Sequence, residues 1–303
     1  MTVDPQPTPV LLRQLYDPAL AQYAYLIGCQ RTGEALVVDP ERDVERYVAA
    51  AQAEGLRITG VAETHIHADF LSGARDLGAE TGATVYLSGE GGAEWSYVWP
   101  SAGAAAVRLL RDGDGFRVGK VQVQAVHTPG HTPEHLAYLV TDAGNGAAEP
   151  MGLLSGDFVF VGDLGRPDLL ESAAGEAGAM KPAARRLFAT MRRLEPLADH
   201  LQIWPAHGAG SACGKALAAV PVSTLGYERR HNAALALVAR GEDAFVAGIL
   251  EGQPEPPPYF ARMKRQNRDG VPEKVPVRDL PELGPDAVVE RARAPEVVVL
   301  DTR

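Results

Sequence analysis

Four loops constrain this chain more than any other feature. Each follows an apolar, strand-like run and each carries side chains able to hold a metal. The first is Thr64-His65-Ile66-His67-Ala68-Asp69-Phe70, after the run 58–62. Residues two apart on an extended backbone point to the same side, so His65, His67 and Asp69 can converge on one cavity. The second, Pro129-Gly130-His131-Thr132, follows the run 121–126, and its Pro-Gly pair can turn His131 back over the strand ends. The third is Gly156-Asp157 after 152–154, and the fourth is Pro205-Ala206-His207-Gly208 after 202–204. One histidine at a strand end is usually structural. Four such loops in one chain call for a metal. Strands that deliver loops to one edge are the habit of layered α/β enzymes.

The remaining pattern agrees with that class. Runs at 11–15, 23–27, 35–38, 84–87, 107–110, 116–118 and 136–140 read as strands punctuated by turn residues. Val44, Tyr47, Val48 and Ala51 follow helical spacing after Asp43, a candidate cap, and Gly55 ends that helix. Further helices are expected over 70–81 and about 181–194. The stretch 89–106 is rich in Gly and Ala and carries Trp95, Tyr97 and Trp99. It reads as a long loop, either a packed flap over the core or one wall of a pocket.

Composition removes several function classes. A formal net charge of -10 argues against a nucleic-acid binder, which needs clustered Lys and Arg. Two cysteines, Cys29 and Cys213, cannot form a disulfide scaffold and suggest a reducing compartment. Residues 1–9 lack the basic start and apolar run of a secretory signal, and no apolar stretch is long enough to span a membrane. A soluble cytoplasmic protein is expected.

The four motifs together resemble the metallo-β-lactamase superfamily, over most of the chain up to about residue 247. The resemblance implies an αββα sandwich with metal at one edge of the paired sheets. One position departs: Phe70 stands where the usual His-X-His-X-Asp-His signature ends in a histidine that helps hold a second metal. A one-metal site is therefore expected. Within the superfamily that departure, with Gly156-Asp157 and Gly165-Arg166-Pro167-Asp168, resembles persulfide dioxygenases. Gly210 to Lys215 and Ser223 to Glu228 look like the subset fused to rhodanese domains. The resemblance implies one Fe(II) per chain, held by His65, His131 and Asp157, with His67, Asp69 and His207 orienting ligands and water. It implies oxidation of the sulfane sulfur of a small thiol persulfide, glutathione persulfide or similar, by O₂ to sulfite. A two-histidine, one-carboxylate face leaves positions open for sulfur and O₂. Arg166 becomes a candidate contact for a substrate carboxylate, Tyr227 a further contact, and Cys213 a thiol at the pocket whose thiolate Lys215 could favour. A homo-oligomer is the expected state. The alternatives are a dinuclear zinc thioester hydrolase of the glyoxalase II kind and a non-catalytic module of a sulfur-transfer assembly.

Residues 1–250 are assigned to this domain and 251–274, with a proline cluster, to a linker or strap. Residues 275–303 resemble the opening of a rhodanese domain, with strands at 275–280 and 297–303 and a helix at 285–293. No cysteine follows Cys213, so this incomplete rhodanese-like segment should lack sulfur-transfer activity.

Overall fold

A computed structural model describes residues 9–103, 105–172, 177–272 and 282–300. Two six-stranded sheets account for all the named strands. The first runs β1 (Val10–Asp17), β2 (Gln22–Cys29), β3 (Glu34–Val38), β4 (Arg57–Ala62), β5 (Thr84–Ser88) and β6 (Val107–Leu110) in sequential order. β1 to β3 pair antiparallel, and β3 to β6 pair parallel. Parallel neighbours need crossovers. Helix α1 (Glu45–Ala53) supplies the one between β3 and β4, and α2 (Ala74–Thr81) the one between β4 and β5. The second sheet contains β7 (Gly115–Val118), β8 (Val121–His127), β9 (Leu136–Thr141), β10 (Gly152–Gly156), β11 (Gln202–Pro205) and β12 (Ser223–Thr224), again in sequential order.

Side-chain alternation explains the stacking. Along β2 every residue is buried. Tyr23, Tyr25 and Ile27 face the second sheet, and Ala24 and Leu26 face the helices. A strand covered on both sides reads as a continuous apolar run because neither face meets water. The inner core joins Leu36, Val38 and Ala62 of one sheet to Val123, Tyr138, Leu154 and Trp204 of the other. Outside the first sheet, Tyr47, Ala51 and Leu77 of α1 and α2 pack on Leu26, Val37 and Val61. Outside the second, helices α4 (Met180–Thr190) and α7 (Glu242–Leu250) place Leu187, Phe245 and Ile249 on Ala137, Leu153 and Ile203. The short helix α3 (Leu169–Ser172) precedes α4, and α5 (Leu225–His231) and α6 (Ala233–Val238) precede α7. These layers form the expected αββα sandwich.

Several local expectations shift. α1 begins after Val44 with no side-chain cap, so Asp43 does not cap it. α2 starts at Ala74, because residues 70–73 continue the loop that carries the candidate ligands. The aromatic loop carries two short 3₁₀ turns, and Trp95, Tyr97 and Trp99 are buried in the outer core. The compact unit extends to Val271. The stretch expected as a linker instead contributes α8 (Phe260–Asp269), whose Phe260 and Asn267 are buried. The second unit, residues 272–303, contains α9 (Pro285–Arg291). Residues 297–300 are exposed and form no strand; residues 275–280 and 301–303 lie outside the described residues. The helix expected over 285–293 is present as α9, but the unit's described residues do not establish the rhodanese resemblance. No helix among the described residues is long and apolar enough to cross a membrane.

Candidate metal centre

All four ligand-bearing loops leave their strands at one edge of the sandwich. There the two sheets are stitched together by hydrogen bonds between the loops. Leu136 N donates to Thr64 O at 2.7 Å and Tyr138 Oη to Glu63 O at 2.7 Å. Tyr23 N donates to Ala206 O, and Tyr25 Oη to Pro205 O, both at 2.7 Å. The loops are therefore fixed relative to one another before any ligand binds.

They assemble two buried groups of metal-capable side chains, His65–His131–Asp157 and Asp69–His207–Cys213. In each group the candidate ligand atoms lie within 4.8 Å of one another. Asp157 stands between the groups: its Oδ2 is 3.4 Å from His131 Nε2 and its Oδ1 is 3.5 Å from His207 Nε2. His207 Nε2 is also 3.2 Å from Asp69 Oδ2. Both oxygens of Asp157, Asp69 Oδ2 and His207 Nε2 are buried without a hydrogen bond of good geometry. Buried polar atoms are rarely left so. A cation at this point would satisfy them, so the side chains fit a metal.

Each histidine is held from behind. Thr64 Oγ1 donates to Asp39 Oδ2 at 2.8 Å, so it can accept from His65 Nδ1 at 2.9 Å. His131 Nδ1 donates to Arg166 O at 3.0 Å, and His207 Nδ1 lies 3.3 Å from Ala21 O. Anchoring Nδ1–H leaves Nε2 as the ligand atom and fixes the ring plane. His135, accepting at Nε2 from Asp157 N at 3.0 Å, sets the Asp157 backbone. Gly165 is required there: a Cβ would stand 1.7 Å from Asp157 O.

His67 goes elsewhere. Its Nε2 pairs with Asp39 Oδ1 at 3.0 Å and its ring lies tilted against Phe70, with centroids 4.3 Å apart. Asp39 also accepts from Thr64 N at 2.7 Å. It adopts φ +52°, a left-handed backbone that a non-glycine residue holds only under local constraint. Asp39 is thus the hub that orients both His65 and His67. Its only mark in the sequence is its place at the end of an apolar strand before Pro40.

Charge separates the two groups. Burial and the neighbouring imidazoles push His65 well below its ordinary range. Burial likewise lowers His131, against the pull of Asp157. Both rings are therefore held unprotonated, the form that binds metal. Burial opposes charge on His207 too, but negative charge around it, from Cys213 when it is a thiolate and from Asp157 and Asp69, outweighs burial and raises His207 well above its usual value. Burial pushes the Cys213 thiol up to about 12, despite the opposing pull of His207.

The other expected residues fall in several places. Asp69, His207 and Cys213 form the second group, so Phe70 does not leave that position without side chains. Cys213 supplies a sulfur from a different loop. Lys215 does not support its thiolate; its Nζ donates to Gly248 O and Glu251 O at 2.8 and 2.5 Å. Arg166 is not available to a substrate carboxylate. Its fully buried guanidinium grips Asp168 in bidentate fashion at 3.0 and 2.6 Å, and donates to Ala212 O and Pro254 O at 2.8 and 2.6 Å. Tyr227 is 57% exposed and lines a separate cleft with His200 and His231, not the one that reaches His131.

The sandwich and its edge of buried imidazoles and carboxylates define a metal-binding α/β protein. Residues 17–207 match the metallo-beta-lactamase superfamily model, and the chain belongs to that superfamily. A crystallised metallo-beta-lactamase from Staphylococcus aureus subsp. aureus COL is 42% identical, with a TM-score of 0.82, over 91% of this chain and 77% of that one. The hydroxyacylglutathione hydrolase of Rhodospirillum rubrum is 34% identical over 55% of this chain and 57% of its own length. The mitochondrial persulfide dioxygenase ETHE1 of Bos taurus is 29% identical over 55% of this chain and 59% of its own. The chain thus spans less than two thirds of the length of these two curated relatives, which divide between a hydrolase and a dioxygenase.

Proposed function

We propose that this protein is a persulfide dioxygenase that uses one Fe(II) at His65, His131 and Asp157. The observation that carries the reading is the orientation of His67. Turned onto Asp39, it leaves two imidazoles and one carboxylate as the first ligand group. Those three residues would hold an Fe(II) ion and leave room on it for exchangeable ligands. The overall reaction balances as R-S-SH + O₂ + H₂O giving R-SH + SO₃²⁻ + 2 H⁺. Ferrous iron, when bound, supplies the electron chemistry between O₂ and sulfur. The protein holds the rest. Thr64, the Arg166 carbonyl and His135 fix the three ligands. His207 Nε2, 3.5 Å from Asp157 Oδ1 and 3.2 Å from Asp69 Oδ2, is placed to pass a proton for release of the thiol.

The test is metal analysis of anaerobically purified protein together with O₂ uptake on glutathione persulfide. About one iron per chain, with persulfide-dependent O₂ uptake and sulfite formation, supports the reading. A second reading has its own observation: Asp69, His207 and Cys213, with Asp157 between the groups, could hold a second ion. Two zinc ions per chain, hydrolysis of a hydroxyacylglutathione thioester and no O₂ uptake would establish that zinc hydrolase instead.

A further inference from the structure

A narrow cleft reaches the first ligand group from the side of α8. Its walls include Ala68, His131, Trp95, Leu170, Phe260 and Lys264. Inside, the room open to a water's centre is about 20 Å³, enough for about one water. The ligands behind it are closed off as well: His65, His131 and Asp157 are 1%, 4% and 0% exposed. An organic substrate cannot reach them through a gap of this size. One wall must therefore move in the working protein.

The walls differ in how they are held. Ile66 and His131 sit on the cross-braced ligand loops: Ile66 N donates to Glu134 Oε1 at 2.8 Å and His131 Nδ1 to Arg166 O at 3.0 Å. The far half of α8 is pinned too. Asn267 Nδ2 donates to His67 O at 2.8 Å and Phe70 O at 2.7 Å, and its Oδ1 accepts from Ser72 N at 2.9 Å. Val98 N donates to Arg268 O at 2.8 Å. Upstream of the helix, Arg166 Nη2 fixes Pro254 O at 2.6 Å. The turn between these two anchors is held differently. α8 starts without a side-chain cap, just after Pro256, Pro257 and Pro258, which have no N–H to donate. The bonds of its first turn are local: Phe260 N donates to Pro257 O at 3.1 Å, and Arg262 N and Met263 N donate to Tyr259 O at 3.0 Å. Among the described residues, 259–263 make no hydrogen bond to another element. What holds the turn down is the Phe260 side chain, 1% exposed and packed among Phe160, Leu169 and Cys213.

We propose that the first turn of α8 is the gate of the metal centre and that Phe260 is its plug. With Pro254 and Asn267 as fixed ends, the turn unwinds and carries Phe260 out of the cleft, and the way to His131 opens. Helix ends open locally far more readily than a core. The burial of one aromatic ring, rather than a polar latch, keeps this one closed. Truncating that ring to a methyl should shift the gate toward its open form by about thirtyfold. The gate rests on the metal reading of the first ligand group and is independent of which reaction runs there.

Hydrogen exchange of the metal-free protein tests the motion. In the parent, the amides of 263–265 should exchange about tenfold faster than those of 267–270, which lie at the pinned end. Equal protection along α8 would overturn the gate. Phe260→Ala should speed 263–265 by about a further thirtyfold and leave α4 and α7 unchanged, with Phe260→Leu in between. The rate at which dipicolinate strips cobalt from the loaded protein tests the access. At unchanged cobalt affinity, stripping should quicken about thirtyfold in Phe260→Ala and by less in Phe260→Leu. An unchanged rate would mean that the metal is reached by another route, and would overturn the assignment. If the protein holds neither cobalt nor iron, the metal reading fails, and the exchange pattern still decides whether the turn opens.

Discussion

The two ligand groups sit side by side and share Asp157, yet the fold prepares them differently. The first combines two imidazoles kept unprotonated with a carboxylate, beside the cleft past Lys264. In the second, His207 is driven toward its charged form while Cys213 keeps its proton. Before metal arrives, the first is therefore ready to accept a cation, and the second must lose protons to do so. Similar ligand atoms at similar spacing can thus have opposite readiness, set by what lies behind them.

The comparison breaks most directly at the shared residue. Asp157→Asn should remove the first site's only carboxylate and lower bound iron to under about a tenth per chain, with activity falling by at least 10²-fold. Metal analysis and O₂ uptake check this. Retention of a full iron would mean that the first group does not hold it.

Arg166 touches both groups, through its carbonyl to His131 and its guanidinium to Ala212 beside Cys213. Arg166→Met would leave Asp168 buried without its partner and should cost about 3–5 kcal/mol. Urea unfolding measures this. A loss under about 1 kcal/mol would show that the buried fork does not organise the site.

Glu134 sharpens the contrast from the first group's side. Its Oε1 accepts from Ile66 N at 2.8 Å, and its Oε2 is buried without a hydrogen bond. Burial raises its carboxyl from 4.5 to about 7. The folded state therefore holds this proton more tightly than the unfolded one, and stability falls as pH rises between those values. Glu134→Gln keeps the acceptor and removes the titration. It should be more stable than the parent by up to about 3 kcal/mol above pH 7, with the gap closing below about pH 4.5. Denaturation of metal-free protein at pH 5 and pH 8 tests the sign.

Cys213→Ser should have the smallest effect. One iron per chain should remain, and O₂ uptake should stay within about threefold if the second group is not a working metal site. Cobalt substitution of the parent provides the converse check. A thiolate-to-cobalt charge-transfer absorption, lost in Cys213→Ser, would show that the second group takes a metal.

The sequence made the ligand loops legible because each is a short motif at the end of an apolar run. It exposed the sandwich because strands buried on both faces leave long apolar stretches. What stayed hidden depends on distant pairing. Asp39 acts on Thr64 and His67 from 25 and 28 residues away. Arg166 looked like a ligand-facing guanidinium because the carbonyls that absorb it belong to Ala212 and Pro254, 46 and 88 residues later. Cys213 is expected at the pocket, but its grouping with Asp69 and His207 depends on a loop whose course no local pattern dictates. The charged stretch holding α8 looked like linker because its packing stripe is narrow, and only Phe260 and Asn267 on it are fully buried.

Asn267 has a consequence for the order of synthesis. The hydrogen bonds that brace the first metal loop come from a residue 195 to 200 positions downstream. A growing chain can present His65 to the solvent long before α8 exists. The brace on that loop can close only after translation has passed Asn267. By then both sheets and most of the first unit are already made. Full fixation of the metal site is therefore a late event in the life of each new molecule.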